Sequence, residues 1–414
     1  MRRDRWSKEP GPDDVGGASD SSGALLATNP YGKVRDSACA VPEFALVGAM
    51  YENPHDIECR IEAKQPLAPM TTLGVGGESE YYFVAETVSD LIAACRWAKE
   101  RALPVRILSG GSNLVVADTG VAGLTIDLRT KGIQFELKAS RVLVTAASGE
   151  NWDALVEMVA ERGHCGLECL SGIPGRVGAT PIQNVGAYGQ DVAQSVAHVD
   201  AYDLLDDSVV RIGSSECEFA YRNSRFRARQ SGRYVILSVC YELQRNGSPA
   251  TGHAELTRLL NENGVTQATT MELRKAVLTL RRSKSMVLDP SNPWSRSCGS
   301  FFVNPVVSEV LAEEIRSRCG TQHVPIYSLP EGGAKIAAAW LIERAGFSRG
   351  HRDGPVGLSG GHSLAIVAYD QATARDVCDL GRRIQDAVLQ QFGVELLPEP
   401  VFWGYSTFRR GLPE

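Results

Sequence analysis

Apolar positions recur along the chain with two different periods, and their alternation predicts an α+β protein. In TVSDLIAACRWAKERALP, Leu91, Cys95, Ala98 and Ala102 fall at helical spacing, and Pro104 stops the helix. VRIL then reads as a buried strand, SGGSN as a turn and LVVAD as a second strand; GLTIDL and RVLVTAA continue the series. NWDALVEMVAERG is a helix ended by Gly163. Strands follow around HVDAYDLL, VVRI and YVILSVCYEL, and TTMELRKAVLTLRRSK opens a helix on a Thr269–Glu272 capping box. Past residue 285, VSEVLAEEIRSRCG, GAKIAAAWLIERAGF and ATARDVCDLGRRIQDAVLQQFG carry helical patterns, with LAIVAYD the clearest strand among them. Residues 1–57 lack either period. They are rich in Gly, Ser, Asp and Pro and are expected to be a disordered extension, or the product of a start placed too far upstream.

Composition narrows the class. With 414 residues and 43% hydrophobic content, the chain has room for two or three globular domains. A net charge of -6 gives no bulk attraction for nucleic acid, so an anionic ligand would need local cations. No apolar run approaches the ~18 residues of a spanning helix, and the N-terminus lacks the apolar segment of a secretory signal. Ten cysteines occur without a CxxC pair, which points to reduced cytoplasmic thiols rather than a disulfide framework or a metal site.

Two glycine-dense loops carry the first chemical signal. LSGGSNLVV, with Ser109, Gly110, Gly111, Ser112 and Asn113, reads as a nest of backbone N–H groups for phosphate oxygens or as an ordinary hairpin turn. In LSGIPGRVGATPIQNVGAYG, Gly172, Gly178 and Gly186 remove the steric bar to a ligand, Pro174 and Pro181 stiffen the path, and Gln183 and Asn184 offer paired donors and acceptors. The apolar Ile173, Val177, Ile182 and Val185 argue against a disordered linker. Two such loops suggest a large phosphate-bearing cofactor, without the GxGxxG of a Rossmann fold. Three further segments stand out. AYRNSRFR sets Tyr221 and Arg222 among cations, as a site or a solvated basic edge. LRRSK puts Arg281 and Lys284 on one face of a helix C-terminus, where they clamp a diphosphate or complement the helix dipole. SCGSFFVNP holds Ser300 and Asn304, as site residues or as an ordinary β-bulge or turn, and PEPVFWG brackets Glu399 with two prolines, as a fixed carboxylate or a solvated one.

The order of LGVGG, SGGSNLVV, SGIPG…IQNVGAYG, YRNSRF, RRSK, GSFFVNP, AAAWLIERAGF and PEPVFWG, between residues 72 and 404, resembles the UDP-N-acetylenolpyruvoylglucosamine reductase (MurB) family over about four-fifths of the chain. The resemblance implies a two-lobed FAD-binding domain of the vanillyl-alcohol-oxidase/PCMH type plus a C-terminal α+β substrate-binding domain. It sets lobe 1 at 58–128, joined by a C-terminal strand at 396–410, lobe 2 at 129–284 and the substrate domain at 285–395. It implies an NADPH-dependent, cytoplasmic, monomeric flavoenzyme that reduces UDP-N-acetylglucosamine-enolpyruvate, with no nucleic-acid or membrane partner and no metal. Arg222, Ser300 and Glu399 become the catalytic group, with Ser300 the proton donor. Ser109 to Asn113, Gly172, Ile173, Pro174, Gly178, Thr180, Gln183, Asn184, Gly186, Ala187 and Tyr188 fall in the cofactor loops. Tyr221, Arg281, Lys284 and Asn304 match substrate positions. His253 falls where a substrate-closing tyrosine would stand, and His362 lies in another substrate-proximal slot. Val303 departs from the family's usual lysine and Cys298 from its alanine. Another FAD-dependent sugar or hydroxy-acid oxidoreductase, or a non-catalytic nucleotide-sugar-binding protein, are the alternatives. The first lacks support because no histidine for covalent flavin lies in either loop, and the second because all three catalytic positions are filled.

Overall fold

The computed structural model describes residues 57–249, 252–320, 323–329 and 332–414. The expectation of a disordered extension falls on residues 1–56, outside the described ones. The helical and strand patterns of the sequence resolve into three layers of α+β structure, each around its own core.

In the first, strands Glu62–Pro66, Glu78–Ala85, Val121–Leu128 and Val105–Leu108 form one sheet in that order, its last three strands parallel. Helix α1 (Val88–Glu100) starts on a reciprocal Thr87–Asp90 cap and lays Leu91, Cys95 and Trp97 on Phe83, Leu124 and Ile126. Strand Leu114–Val116 leaves this sheet and pairs, parallel, with Val401–Trp403 from the far end of the chain.

The second layer is an antiparallel sheet of Ser208–Gly213, Val196–Asp203, Tyr234–Arg245, Arg141–Ala147 and Ile133–Leu137. Helix α2 (Trp152–Glu161) packs on it through Trp152, Leu155 and Val156, and Gly163 turns the chain at φ +70. Helices α3 (Ala254–Glu262) and α4 (Thr270–Ser283) add a small apolar pair centred on Leu256, Leu260, Leu273 and Val277. The Thr269–Glu272 capping box is formed, and buried Arg274 bonds Asp153 of α2 at 2.5 and 2.9 Å.

The third layer holds α5 (Glu309–Cys319), α6 (Ala338–Arg344), α7 (Ala374–Phe392) and two three-stranded sheets around Phe301, Phe302, Ile336, Leu341, Leu358, Ile366 and Ile384. Asp118 of the first layer caps α7, accepting from the Ala374 and Arg375 amides at 2.8 and 3.0 Å.

One sequence expectation needs correction. GAKIAAAWLIERAGF is not one helix. Ala334–Ile336 is the central strand of a sheet, with Ala334 and Ile336 buried and Lys335 half-buried, and only Ala338–Arg344 is helical. Strand pairing on both sides outweighs the local helical preference of this alanine-rich run. Helix α3 went unmarked because His253, at its N-cap, makes no side-chain cap. Among the described residues no helix is long and apolar enough to cross a membrane.

Candidate active site

The two glycine loops meet. Ser109 to Asn113 connects strand Val105–Leu108 to Leu114–Val116, and its Gly110 lies flat on Gly175 of the second loop. A Cβ on Gly110 would fall 2.6 Å from the Gly175 Cα, closer than packed carbons approach, so only glycine lets the loops touch. Ser112 Oγ donates to Pro174 O at 3.2 Å, and Asn113 Nδ2 donates to Gln183 Oε1 at 2.7 Å. Ser109 Oγ is buried with no hydrogen-bond partner. A buried hydroxyl without a partner is costly, and here it heads a side-chain-poor loop, which fits the oxygens of a phosphate-bearing cofactor.

Other residues of the second loop brace it. Thr180 Oγ1 donates to Val177 O at 2.8 Å and bonds the Tyr241 hydroxyl at 2.8 Å. Gly178 allows close approach to Ser148, and Ile173 packs on the second core. Asn184 joins Ala220 O and the Ala193 amide at 3.1 and 3.0 Å. Gly186–Ala187 pairs with Gln190–Asp191 in a tight hairpin. Asn184, Tyr188 and Arg222 all hold φ near +50, which non-glycine residues seldom adopt.

Arg222 crosses from this hairpin to Glu399. Its Nη2 donates to Gly186 O at 2.6 Å and its Nε stands 3.2 Å from Glu399 Oε1. Burial pushes the Glu399 carboxyl above the usual carboxylate range, and Arg222 and Arg227 pull it back in part. Glu399 is positioned by strand-like pairing with the serine segment: its amide donates to Phe301 O at 2.9 Å, and Val303 N donates to Leu397 O at 3.0 Å. Ser300 therefore adjoins the residue hydrogen-bonded to Glu399. It is half-buried, and its hydroxyl makes no hydrogen bond among the described residues. Gly299 before it adopts φ +76, and a Cβ there would meet nothing within 4 Å. Phe301 and Phe302 turn inward, both essentially fully buried.

The cations of α4 form a second cluster. Lys284 Nζ bonds Glu255 Oε2 at 2.6 Å and lies 5.6 Å from the Tyr188 ring centre. His253 packs edge-on to Tyr188 at 5.1 Å, and its Nδ1 is buried without a partner. Arg281 Nη2 donates to Met286 O at 2.8 Å, whereas its Nε is buried and unpartnered. Burial lowers the Arg281 pKa, against the pull of Tyr188 and Asp153. His362 is half-buried near Lys284; burial, then Lys284 and Arg349, push its pKa down to about 4. Tyr188 shares its hairpin with Gly186, which takes the Arg222 bond, so one short loop touches both clusters. Tyr221 is exposed between Arg222 and Lys335, their charges 5.4 and 5.0 Å from its ring. Asn304 stands apart. Its Oδ1 accepts from the Ala338 amide at 2.9 Å and caps α6.

Three residues at these clusters carried no signal in the sequence. Arg227 ends the same YRNSRFR run as Arg222 and could not be told from Arg225 there. Glu255 lies in the unmarked α3. Lys335 was buried in a false helical pattern. A constraint on which arginine faces the loops comes only from the fold.

Residues 289–403 match the family described as UDP-N-acetylenolpyruvoylglucosamine reductase, C-terminal domain, and residues 79–213 match the FAD binding domain family. A UDP-N-acetylenolpyruvoylglucosamine reductase of Thermobifida fusca is 43% identical over 355 residues, 82% of this chain and 97% of the relative. Its counterpart in Saccharopolyspora erythraea is 43% identical over 345 residues, 81% and 93% of the two chains. Among solved structures, UDP-N-acetylenolpyruvylglucosamine reductase from Thermus caldophilus aligns with a TM-score of 0.56 at 25% identity, covering 83% of this chain and 99% of that one.

Proposed function

The chain belongs to the UDP-N-acetylenolpyruvoylglucosamine reductase family, and on that premise we propose how its residues divide the work of an NADPH-dependent reduction. Its two lobes are of the FAD-binding, vanillyl-alcohol-oxidase type, and the C-terminal α+β domain is the family's own. The reaction converts the enolpyruvyl ether of UDP-N-acetylglucosamine-enolpyruvate to the lactyl ether of UDP-N-acetylmuramate, for peptidoglycan synthesis. It consumes one NADPH and one proton. FAD, when bound, relays hydride from NADPH to the terminal vinyl carbon.

The protein's residues handle what the hydride leaves behind. The neighbouring carbon becomes an enolate-like centre conjugated with the substrate carboxylate, and that charge needs donors already in place. Arg222, fixed by Gly186 O and Glu399, supplies the cation. Ser300 Oγ, without a hydrogen bond among the described residues, delivers the proton to carbon, and Gly299 leaves open space before it. Inward-turned Phe301 and Phe302 keep the segment rigid. Ser109 to Asn113 and the second glycine loop hold FAD. Arg281 and Lys284, with Tyr188, His253 and His362 around them, take the diphosphate and sugar; Tyr221 meets the substrate from beside Arg222, and Asn304, which caps α6, is assigned to the substrate as well. Cys95, Cys165, Cys217, Cys240, Cys298, Cys319 and Cys378 are free thiols, in keeping with a cytoplasmic enzyme. We assign it a monomeric state and no macromolecular partner.

The observation that carries this reading is the Arg222–Glu399 pair, held by backbone bonds to the serine segment. The test is anaerobic mixing of the flavin-loaded protein with NADPH or NADH, then with UDP-N-acetylglucosamine-enolpyruvate. Rapid bleaching by NADPH, reoxidation by the sugar nucleotide and a product heavier by two hydrogens are expected. Bleaching without reoxidation would discard the substrate, and equal rates with NADH would discard the NADPH preference.

A further inference from the structure

We propose that Arg227 is a positioning residue, which locks the Glu399 peptide to the flavin-loop amides and so fixes the carboxylate against the reacting centre. The inference rests on the reading of Glu399 and Ser300 given above.

The contacts form one closed net. Arg227 Nη2 donates to the Glu399 carbonyl at 2.9 Å, and Nη1 donates to Gln183 Oε1 at 3.1 Å. Gln183 Oε1 also accepts from Asn113 Nδ2 at 2.7 Å, and that amide reaches the Glu399 carbonyl at 3.4 Å. Four residues from the first loop, the second loop, the YRNSRFR turn and the C-terminal segment thus share two acceptors. Around Glu399 every polar handle is taken, two of them from the YRNSRFR turn. The amide goes to Phe301, the carbonyl to Arg227 and Asn113, and the carboxylate to Arg222.

Arg227 makes no ion pair among the described residues, although it is half-buried. Burial lowers its pKa, Glu399 opposes this, and Arg222 adds to it. A desolvated guanidinium bonded to neutral acceptors is a poor stabiliser of a fold. Its planar fork, however, holds two acceptors at a fixed separation, which an ammonium cannot do. Arg225, two residues earlier, shows the ordinary alternative: it bonds Gln230 Oε1 and Glu216 O at 2.6 and 2.9 Å, away from Glu399. The flavin loops and the carboxylate are therefore one mechanical unit, joined through Arg227.

The experiment compares Arg227→Met, Arg227→Lys, Arg225→Met and Ser300→Ala as flavin-loaded proteins. In Arg227→Met, reduction by NADPH should stay within about twofold, and reoxidation by the UDP-sugar should slow about 10–100-fold, the range of a lost charge-assisted contact. The loss should fall on kcat rather than KM, and Arg227→Lys should restore part of it. Independently of turnover, hydrogen–deuterium exchange of the holoprotein should quicken around Glu399 in Arg227→Met and stay unchanged there in Arg225→Met. If Arg227→Met reoxidises normally while Ser300→Ala does not, the proposal is overturned and the site reading stands. If both reoxidise normally, the site reading itself fails. Loss of FAD from Arg227→Met, unrelieved by lysine, would make Arg227 a folding residue and overturn the proposal as well.

Discussion

Replacing Ser300 by alanine should separate rate from stability by a wide margin. The hydroxyl makes no hydrogen bond among the described residues, and the segment is held by backbone bonds from Phe301 to Leu364 and Glu399. Alanine removes one oxygen from a half-buried side chain and leaves no acceptor stranded, so stability should change by about 0.5 kcal/mol or less. Over a chain of this size that is a melting shift of roughly 2 °C at most. A positioned proton donor, in contrast, is worth about 10²–10⁴-fold in rate, or ~3–5 kcal/mol of barrier. Stopped-flow absorbance of the flavin, with each half-reaction followed alone and without oxygen, measures the contrast. NADPH should reduce Ser300→Ala near the wild-type rate, and reoxidation by the UDP-sugar should fall by the full factor. Ser300→Cys should lie between, because a thiol also donates a proton but its sulfur is larger. Equal slowing of both halves would make Ser300 a holder of cofactor or fold, and slowing of neither would remove it from the chemistry.

Four further outcomes follow from distances and burial. Lys284→Ala should raise the KM for the UDP-sugar about 10–100-fold, the ~1.5–3 kcal/mol of a charge-assisted phosphate contact, with flavin reduction by NADPH spared. Glu255→Gln should do the reverse. The Glu255 carboxylate holds the Lys284 ammonium at 2.6 Å, so removing this internal rival should tighten UDP-sugar binding by up to about fivefold, measured by calorimetry. Gly110→Ala must part the two glycine loops, since its Cβ lands 2.6 Å from the Gly175 backbone, and flavin retention on dialysis should drop more than the melting temperature. His362, with its pKa near 4 against an ordinary 6.5, binds its proton more weakly in the folded protein. Stability should therefore fall as pH drops from about 6.5 to 4, by up to ~3 kcal/mol, and urea titrations of His362→Gln should show a shallower fall across that window.

Most of the element pattern was legible because it rests on local periods. The α1 and α4 caps and the long α7 face are written within a few residues of one another. Ala334–Ile336 was not, since the strands flanking it belong to segments whose pairing no local window shows. The glycine loops announced a ligand, yet their contact across Gly110 and Gly175 is a tertiary fact. Arg222 stood out only through the family resemblance of YRNSRF, and its Nε lies 3.2 Å from Glu399 Oε1. Arg227 and Glu255 did not stand out, because which of several arginines or glutamates turns inward is decided by the backbone path around Glu399 and by the docking of α3 on α4.

The pairing of Leu114–Val116 with Val401–Trp403 also sets a timetable for biosynthesis. Asn113 and Glu399, neighbours in the folded protein, are 286 positions apart along the chain. At roughly 5–20 residues per second, a ribosome needs about 15–60 s to travel between them. Throughout that interval a fully apolar strand, buried in the finished protein, waits with one edge open to any other extended chain. Nascent chains are therefore most vulnerable to aggregation before the last strand emerges, and a chaperone that shields that edge during elongation would raise the yield of enzyme without touching its stability once made.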